Sequence, residues 1–224
     1  MIKLVVLGSG SKGNSIYFDV DGFRFLVDCG FTKIATKKRL ATFGRVVEDI
    51  KAVFVTHYHG DHVSPWIVKA ELIEEDLGKH PFITVFDLSH DSPCVGYTIK
   101  DKSGNKVAII PDTGCIPEMA IAHLFDCSAI LIETNYDIET LVVAKYPFEL
   151  LERIASDHGH LRNECAAELV ETVACEKLQY LVGLHLSSNN NHPDLVRFCL
   201  SSAGTGAEVI VADQKIPTKM ITII

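Results

Sequence analysis

The densest concentration of reactive side chains lies in "VFVTHYHGDH", residues 53–62, where His57, His59, Asp61 and His62 fall within six positions directly after an apolar run. In an extended segment residues i and i+2 point to the same side, so His57 and His59 can grip one cation. A turn at Gly60 then brings Asp61 and His62 round to a second cation beside it. Imidazole and carboxylate suit zinc, and also iron or manganese. A two-metal site needs more donors, and three residues offer them just after apolar runs: His90 in "FDLSHDSP", Asp112 in "VAIIPDTG" and His185 in "YLVGLHLSSNNN". A carboxylate such as Asp112 can bridge two cations about 3.5–4 Å apart and neutralise charge between them. Singly, each of the three has a plainer reading, as a turn-starting Asp or a structural His. Their common place after a strand argues for them as a set.

The elements that must position these groups are short runs rich in Val, Ile and Phe: "IKLVVL", "SIYFDV", "FRFLVD", "AVFVT", "FITVF", "KVAIIP", "AILIE", "YLVGL" and "EVIVA". Helix-like stretches cover 33–43, 64–76, 115–124, 147–155, 161–175 and 193–203. Tight turns join the first strands and helices alternate with the later ones, so a simple doubly wound sheet does not fit. A layered α/β sandwich does, with mixed sheets inside and helices outside. The loop "GSGSKGNS", residues 8–15, satisfies a GxGxxG spacing, but a strand follows it and not a helix. Without a helix dipole behind it the phosphate-binding fingerprint has no mechanism. It reads as a tight loop whose Ser and Asn side chains can face a site at the strand ends.

At 224 residues, 47% hydrophobic and 22% charged, the chain has the length and composition of one globular domain, with nothing approaching a membrane span. No signal-peptide pattern opens it, and its seven scattered cysteines form no CxxC pair, which points to reduced thiols in a cytoplasm. The net charge of −8 is uneven: residues 1–112 carry 14 basic against 14 acidic side chains, residues 113–224 carry 7 against 15. The basic segment "TKIATKKRLATFGR", with Lys33, Lys37, Lys38, Arg39 and Arg45, is either a dock for a polyanion or a solvated helix face.

The series HxHxDH, strand-end His, strand-end Asp and late strand-end His resembles the metallo-β-lactamase superfamily. The pieces "GSGSKGNS", "THYHGDH", "SHDSPCVGY", "IPDTG", "ETNYD", "YPFELLERIASDHGHLRNECAAEL", "HLSSNN" and "KIPT" resemble its YycJ-like (WalJ-like) subgroup of bacterial 5′–3′ DNA exonucleases. The resemblance implies an αββα sandwich over residues 1–224, two mixed sheets flanked by helices. It implies two divalent metals held by His57, His59, Asp61, His62, His90, Asp112 and His185, with Asp28 buttressing the histidine loop without binding metal. Phosphodiester cleavage by an activated hydroxide follows, Asp61 orienting the nucleophile. His160, 25 residues before His185, matches the position that contacts substrate or acts as general acid in nucleases of this fold. Ser92, His158, Ser187 and Asn189 are candidate substrate contacts, and DNA is the expected partner. Two other outcomes are compatible with such a chain: a small-molecule cyclic phosphodiesterase, and a non-catalytic protein with a structural metal. One departure stands out, because only 27 residues separate His62 from His90, fewer than the subgroup usually has there.

Overall fold

The computed structural model describes residues 1–224, and the chain divides into two compact units. Unit 1 comprises Met1–Thr84, Ile99–Asn105 and Ala212–Ile224; unit 2 comprises Val85–Thr98 and Lys106–Val211.

In unit 1, β1 (Ile2–Gly8), β2 (Ser15–Val20), β3 (Phe23–Val27), β4 (Ala52–Phe54) and β11 (Ile221–Ile223) form a five-stranded sheet in the order β11-β1-β2-β3-β4. β1, β2, β3 and β11 pair antiparallel, and β3 pairs parallel with β4, so the chain leaves both at the same end of the sheet. Helices α1 (Lys33–Ala41) and α2 (Pro65–Lys69) complete the unit. Its core gathers Val5, Leu7, Tyr17, Leu26, Leu40, Val53 and Ile67, all fully buried. Each such side chain removed from water contributes about 1.5–3 kcal/mol. The helix expected over 64–76 stops at Lys69: Glu71 adopts a left-handed φ of 52°, and Ile73 joins Val53 in an isolated bridge.

Unit 2 is built on the six-stranded order β10-β9-β8-β7-β6-β5. Its strands are β5 (Ile83–Leu88), β6 (Cys94–Lys100), β7 (Lys106–Ile110), β8 (Ala129–Glu133), β9 (Tyr180–Leu184) and β10 (Glu208–Val211). β7 to β10 run parallel, and the near-continuous burial of β7, β8 and β9 is what a sheet covered on both faces requires. The helices are α3 (Glu118–Ile121), α4 (Ile138–Val142), α5 (Phe148–Ala155), α6 (Asn163–Val173) and α7 (Pro193–Ser202). Strand β6 is absent from the apolar runs read in the sequence, because Gly96 interrupts "CVGYTIK". That glycine is where the Phe86 ring packs: a Cβ there would lie 2.4 Å from it. Both units thus carry a mixed sheet with helices, as expected.

Candidate metal centre

In unit 1 the histidine loop follows β4. His57 and His62 are buried and His59 partly so. His57 Nε2 and His59 Nδ1 lie 3.1 Å apart, about the separation of adjacent imidazole ligands at one zinc with bonds of about 2.0–2.1 Å. These two ring nitrogens, from residues i and i+2, face one another. Asp28 leaves β3 with a left-handed φ of 56°, a conformation that costs a non-glycine residue free energy and clusters at functional sites. Its Oδ1 accepts from the Thr56 amide at 2.8 Å, and its Oδ2 accepts from Thr56 Oγ1 at 2.8 Å. The same Oδ2 lies 2.8 Å from His62 Nδ1. An imidazole that gives its Nδ1 proton to a carboxylate presents Nε2 as the lone-pair nitrogen, the usual arrangement behind a metal-binding histidine. Asp28 thus ties Thr56 and His62 together behind the histidine loop.

The loop Ser9–Asn14 supports the same residues. The Asn14 amide donates to Asp61 O at 2.7 Å, and Asn14 Nδ2 lies 3.2 Å from Asp61 Oδ2 and 2.9 Å from His62 Nε2. No helix follows, so the loop is a strand connection whose Asn faces the histidines. Beside Asn14, to whose carbonyl its amide donates at 3.0 Å, Gly30 packs so tightly that a Cβ would lie 1.7 Å from Asp61 O. Only glycine fits there.

Unit 2 brings together donors that are far apart in sequence. Because β7, β8 and β9 are parallel, Asp112, Glu133 and His185 emerge at the same end of the sheet, where open α/β sheets carry their ligands. The donor atoms of Asp112, Glu133, His160 and His185 lie within 4.8 Å of one another. His185 Nδ1 is 2.8 Å from Asp112 Oδ2 and 3.1 Å from Glu133 Oε1, and His185 takes a left-handed φ of 50°. His160 Nδ1 lies 2.7 Å from Glu133 Oε1. His90 Nδ1 donates to Gly159 O at 2.9 Å, which makes Nε2 its lone-pair nitrogen.

Glu133 is the organiser that the sequence reading missed. It is fully buried, and its Oε2 accepts from the amides of Thr113 and Leu161 at 2.8 and 3.0 Å. Its own burial would raise its pKa, but the charge of His160 and the hydrogen bonds from His160 and His185 outweigh this and lower it. Burial likewise acts to lower the pKa of His160, and the Glu133 carboxylate beside it raises it above the ordinary imidazole value. Burial dominates at His90 and lowers its pKa. The signal in the sequence is a Glu closing the wholly apolar "AILI" inside the piece "ETNYD".

The expected substrate contacts are placed unevenly. His158 is exposed and its Nδ1 pairs with Ser89 Oγ at 2.9 Å. Ser187 Oγ accepts from the amides of Asn189 and Asn190, and Asn189 Nδ2 donates to Tyr146 Oη at 2.9 Å, so both serve the turn after β9. Ser92 Oγ is buried with no hydrogen-bond partner.

Buried imidazoles with Nδ1 anchored on carboxylate or carbonyl oxygen, among acidic side chains, form a donor chemistry that fits divalent cations. Residues 8–64 match the model of the metallo-beta-lactamase superfamily, and residues 74–185 match that of the beta-lactamase superfamily domain. The chain is 28% identical to exodeoxyribonuclease YycJ of Bacillus anthracis over 255 aligned positions, covering 96% of this chain and 97% of that protein. It is 29% identical to exodeoxyribonuclease WalJ of Streptococcus pneumoniae, covering 94% and 93%. The first alignment is longer than the 224 residues of this chain, so the relative carries stretches that this chain lacks. Among solved structures, the metallo-beta-lactamase fold protein YhfI of Bacillus subtilis superposes with a TM-score of 0.69 at 19% identity, over 97% of this chain and 98% of that one. The short form of human tRNase Z superposes at 0.64 with 18% identity, over 99% of both. The chain belongs to the metallo-β-lactamase superfamily, in its YycJ/WalJ-like subgroup.

Proposed function

We propose that the chain is a metal-dependent phosphodiester hydrolase that degrades DNA as an exonuclease. The observation that carries this reading is the Glu133–His160 pair, a proton donor held at 2.7 Å by a buried carboxylate, in a relative of two exodeoxyribonucleases. His57, His59, Asp61, His62, His90, Asp112 and His185 would hold two divalent cations, zinc foremost, with manganese or iron as substitutes. Such cations supply Lewis acidity and a water acidic enough to become a nucleophile near neutral pH.

The rest falls to the chain's own side chains. Asp61 orients the attacking oxygen. His160 gives its Nε2 proton to the leaving sugar oxygen, because Glu133 fixes Nδ1 and favours the protonated ring. Of the candidate phosphate contacts, His158 is exposed and Ser92 Oγ holds no hydrogen bond, whereas Ser187 and Asn189 are engaged in the turn after β9. No helix is long and apolar enough to cross a membrane, and the cysteines are reduced thiols, which suits work on DNA in a reducing cytoplasm.

The test is degradation of 5′-phosphorylated duplex and single-stranded DNA with Mn²⁺ or Zn²⁺, beside bis(p-nitrophenyl) phosphate, whose leaving group departs without a proton. His59→Ala should abolish both activities. His160→Ala should slow DNA cleavage by about 10²-fold or more, the usual worth of a general acid, and slow the nitrophenyl ester far less. Cleavage of the small ester alone would reassign the chain as a small-molecule phosphodiesterase. Activity on neither substrate in metal-loaded protein would overturn phosphodiester chemistry and favour a non-catalytic metal protein.

A further inference from the structure

The basic segment of unit 1 divides into two kinds of cation. Arg39 and Arg45 are structural. Arg39 donates to the carbonyls of Leu7 and Gln214 and stacks 4.0 Å from the centre of the Phe31 ring. Arg45 donates to Tyr17 Oη at 3.0 Å and lies 3.6 Å from Asp19. Lys33, Lys37 and Lys38 are exposed on α1 and pair with no carboxylate; Lys33 Nζ stands 5.8 Å from the Trp66 ring centre. Lys33 also opens its helix, with no acidic residue in the first turn. The helix dipole disfavours a cation there, so local helix stability does not account for it.

Two more exposed, unpaired lysines belong to the same surface. Lys12 and Lys215 sit on loops joined through Gln214: the Lys12 amide donates to Gln214 Oε1 at 2.7 Å, and Gln214 Nε2 donates to Gly13 O at 2.9 Å. Arg39 Nη2 binds the Gln214 carbonyl at 3.0 Å and brings α1 into the same unit of structure. This surface adjoins the histidine loop at the Asp61 carbonyl, where Asn14 and Gly30 meet, the Gly30 amide donating to Asn14 O at 3.0 Å. Lys12 is two residues from Asn14, which binds Asp61, and Lys33 is three residues from Gly30, which packs on Asp61. The local charge is inverted: segments 9–15, 31–45 and 212–220 hold eight basic residues against the single acid Asp213, in a chain with 21 basic and 29 acidic residues.

We propose that Lys12, Lys33 and Lys215, extended along α1 by Lys37 and Lys38, grip the phosphodiester backbone of a single DNA strand whose end reaches the histidine loop. The inference rests on the exonuclease reading and adds the surface that holds the strand. Long, unpaired lysine side chains suit this task, because each neutralised phosphate releases condensed counterion and the contact needs no fixed base geometry.

The test is fluorescence anisotropy with labelled single-stranded DNA in EDTA across a salt series, so that binding is read without chemistry. The triple variant K12Q/K33Q/K215Q should bind at least about tenfold more weakly near 0.1 M salt. Its slope of log K against log salt should fall by about 2, since each lost single-strand phosphate contact removes about 0.7. Lys177→Gln, an exposed position in unit 2, should leave both values and the hydrolysis of bis(p-nitrophenyl) phosphate unchanged, and all variants should keep wild-type melting. Binding by the triple variant within twofold of wild type, or an equal loss in Lys177→Gln, would overturn the proposal. An RNA strand of the same sequence held more tightly than DNA would overturn its assignment to DNA. Wild-type protein that binds DNA in this way yet cleaves no ester would sink the exonuclease reading and leave the lysine surface standing.

Discussion

The two units solve one problem in opposite ways. Unit 1 places four donors in a single loop of six residues, and one carboxylate, Asp28, stands behind it and fixes one imidazole. Unit 2 draws its donors from four connections spread over Asp112 to His185, and a fully buried carboxylate, Glu133, fixes two imidazoles and two backbone amides at once. The first arrangement depends on local chain geometry, with Asn14 and Gly30, themselves hydrogen-bonded, both held against the Asp61 carbonyl. The second depends on strand register, since one residue of slip in β8 would turn Glu133 to the other face. A compact motif is robust to distant change, whereas an assembled cluster transmits the loss of one member to all the others.

Removing Glu133 should therefore have the largest effect of any single change. Glu133→Ala leaves two buried histidines and two amides without their acceptor, and breaking such a buried arrangement costs about 3–5 kcal/mol. Chemical denaturation should show a loss of that size, with DNA cleavage lost alongside it. A cost under about 1 kcal/mol would mean that unit 2 does not lean on this carboxylate. Unit 1 should yield to backbone crowding instead. Gly30→Ala forces a methyl group into the Asp61 carbonyl, and overpacking of this kind costs about 1–3 kcal/mol or more. The same denaturation series measures it, and Gly22→Ala, where a Cβ meets nothing within 4 Å but φ is 92°, separates crowding from backbone strain.

The pH dependence sharpens the contrast. Glu133 is lowered from 4.5, so its contribution is present above that value and is lost as pH falls through the lower native one. His160 is raised from 6.5, so its contribution is complete below that value and is lost as pH rises through the higher native one. In metal-free protein the stability gap between wild type and Glu133→Gln should be widest between about pH 4.5 and 6.5 and shrink on both sides. A gap that does not change with pH would deny the ion pair. Asp28→Asn should have a milder effect, weakening metal affinity about 10–100-fold through His62 while the fold persists. Competition with a fluorescent zinc chelator would read this directly. The smallest effect belongs to Cys29, whose thiol burial pushes up to about 11, so that native protein at pH 8 should resist its alkylation.

The same contrast explains what could be read from sequence. HxHxDH is visible because all its donors lie in one loop, and the apolar strands before His90, Asp112 and His185 mark those residues as strand ends. Glu133 escapes because a single Glu closing an apolar run looks like the strand reaching water, when it is in truth fully buried. Strand β11 is invisible in sequence because "ITI" is too short for any pattern and owes its existence to pairing with β1 across the whole length of the chain. Helix α4 is hidden for a similar reason: five residues carry no period, and its start is fixed by Asp137 accepting from the Thr140 amide. The basic segment was legible as charge only. Which of its cations are structural depends on carbonyls of Leu7 and Gln214 that no local pattern reveals.

The most direct test of the central claim is the metal content of purified protein, measured by plasma mass spectrometry on wild type, His59→Ala and His185→Ala after dialysis against limiting zinc. Wild type should hold about two equivalents. Each variant should lose metal, together with DNA cleavage, while keeping its cooperative unfolding. Full metal content in both folded variants, or wild-type DNA cleavage by either, would contradict it.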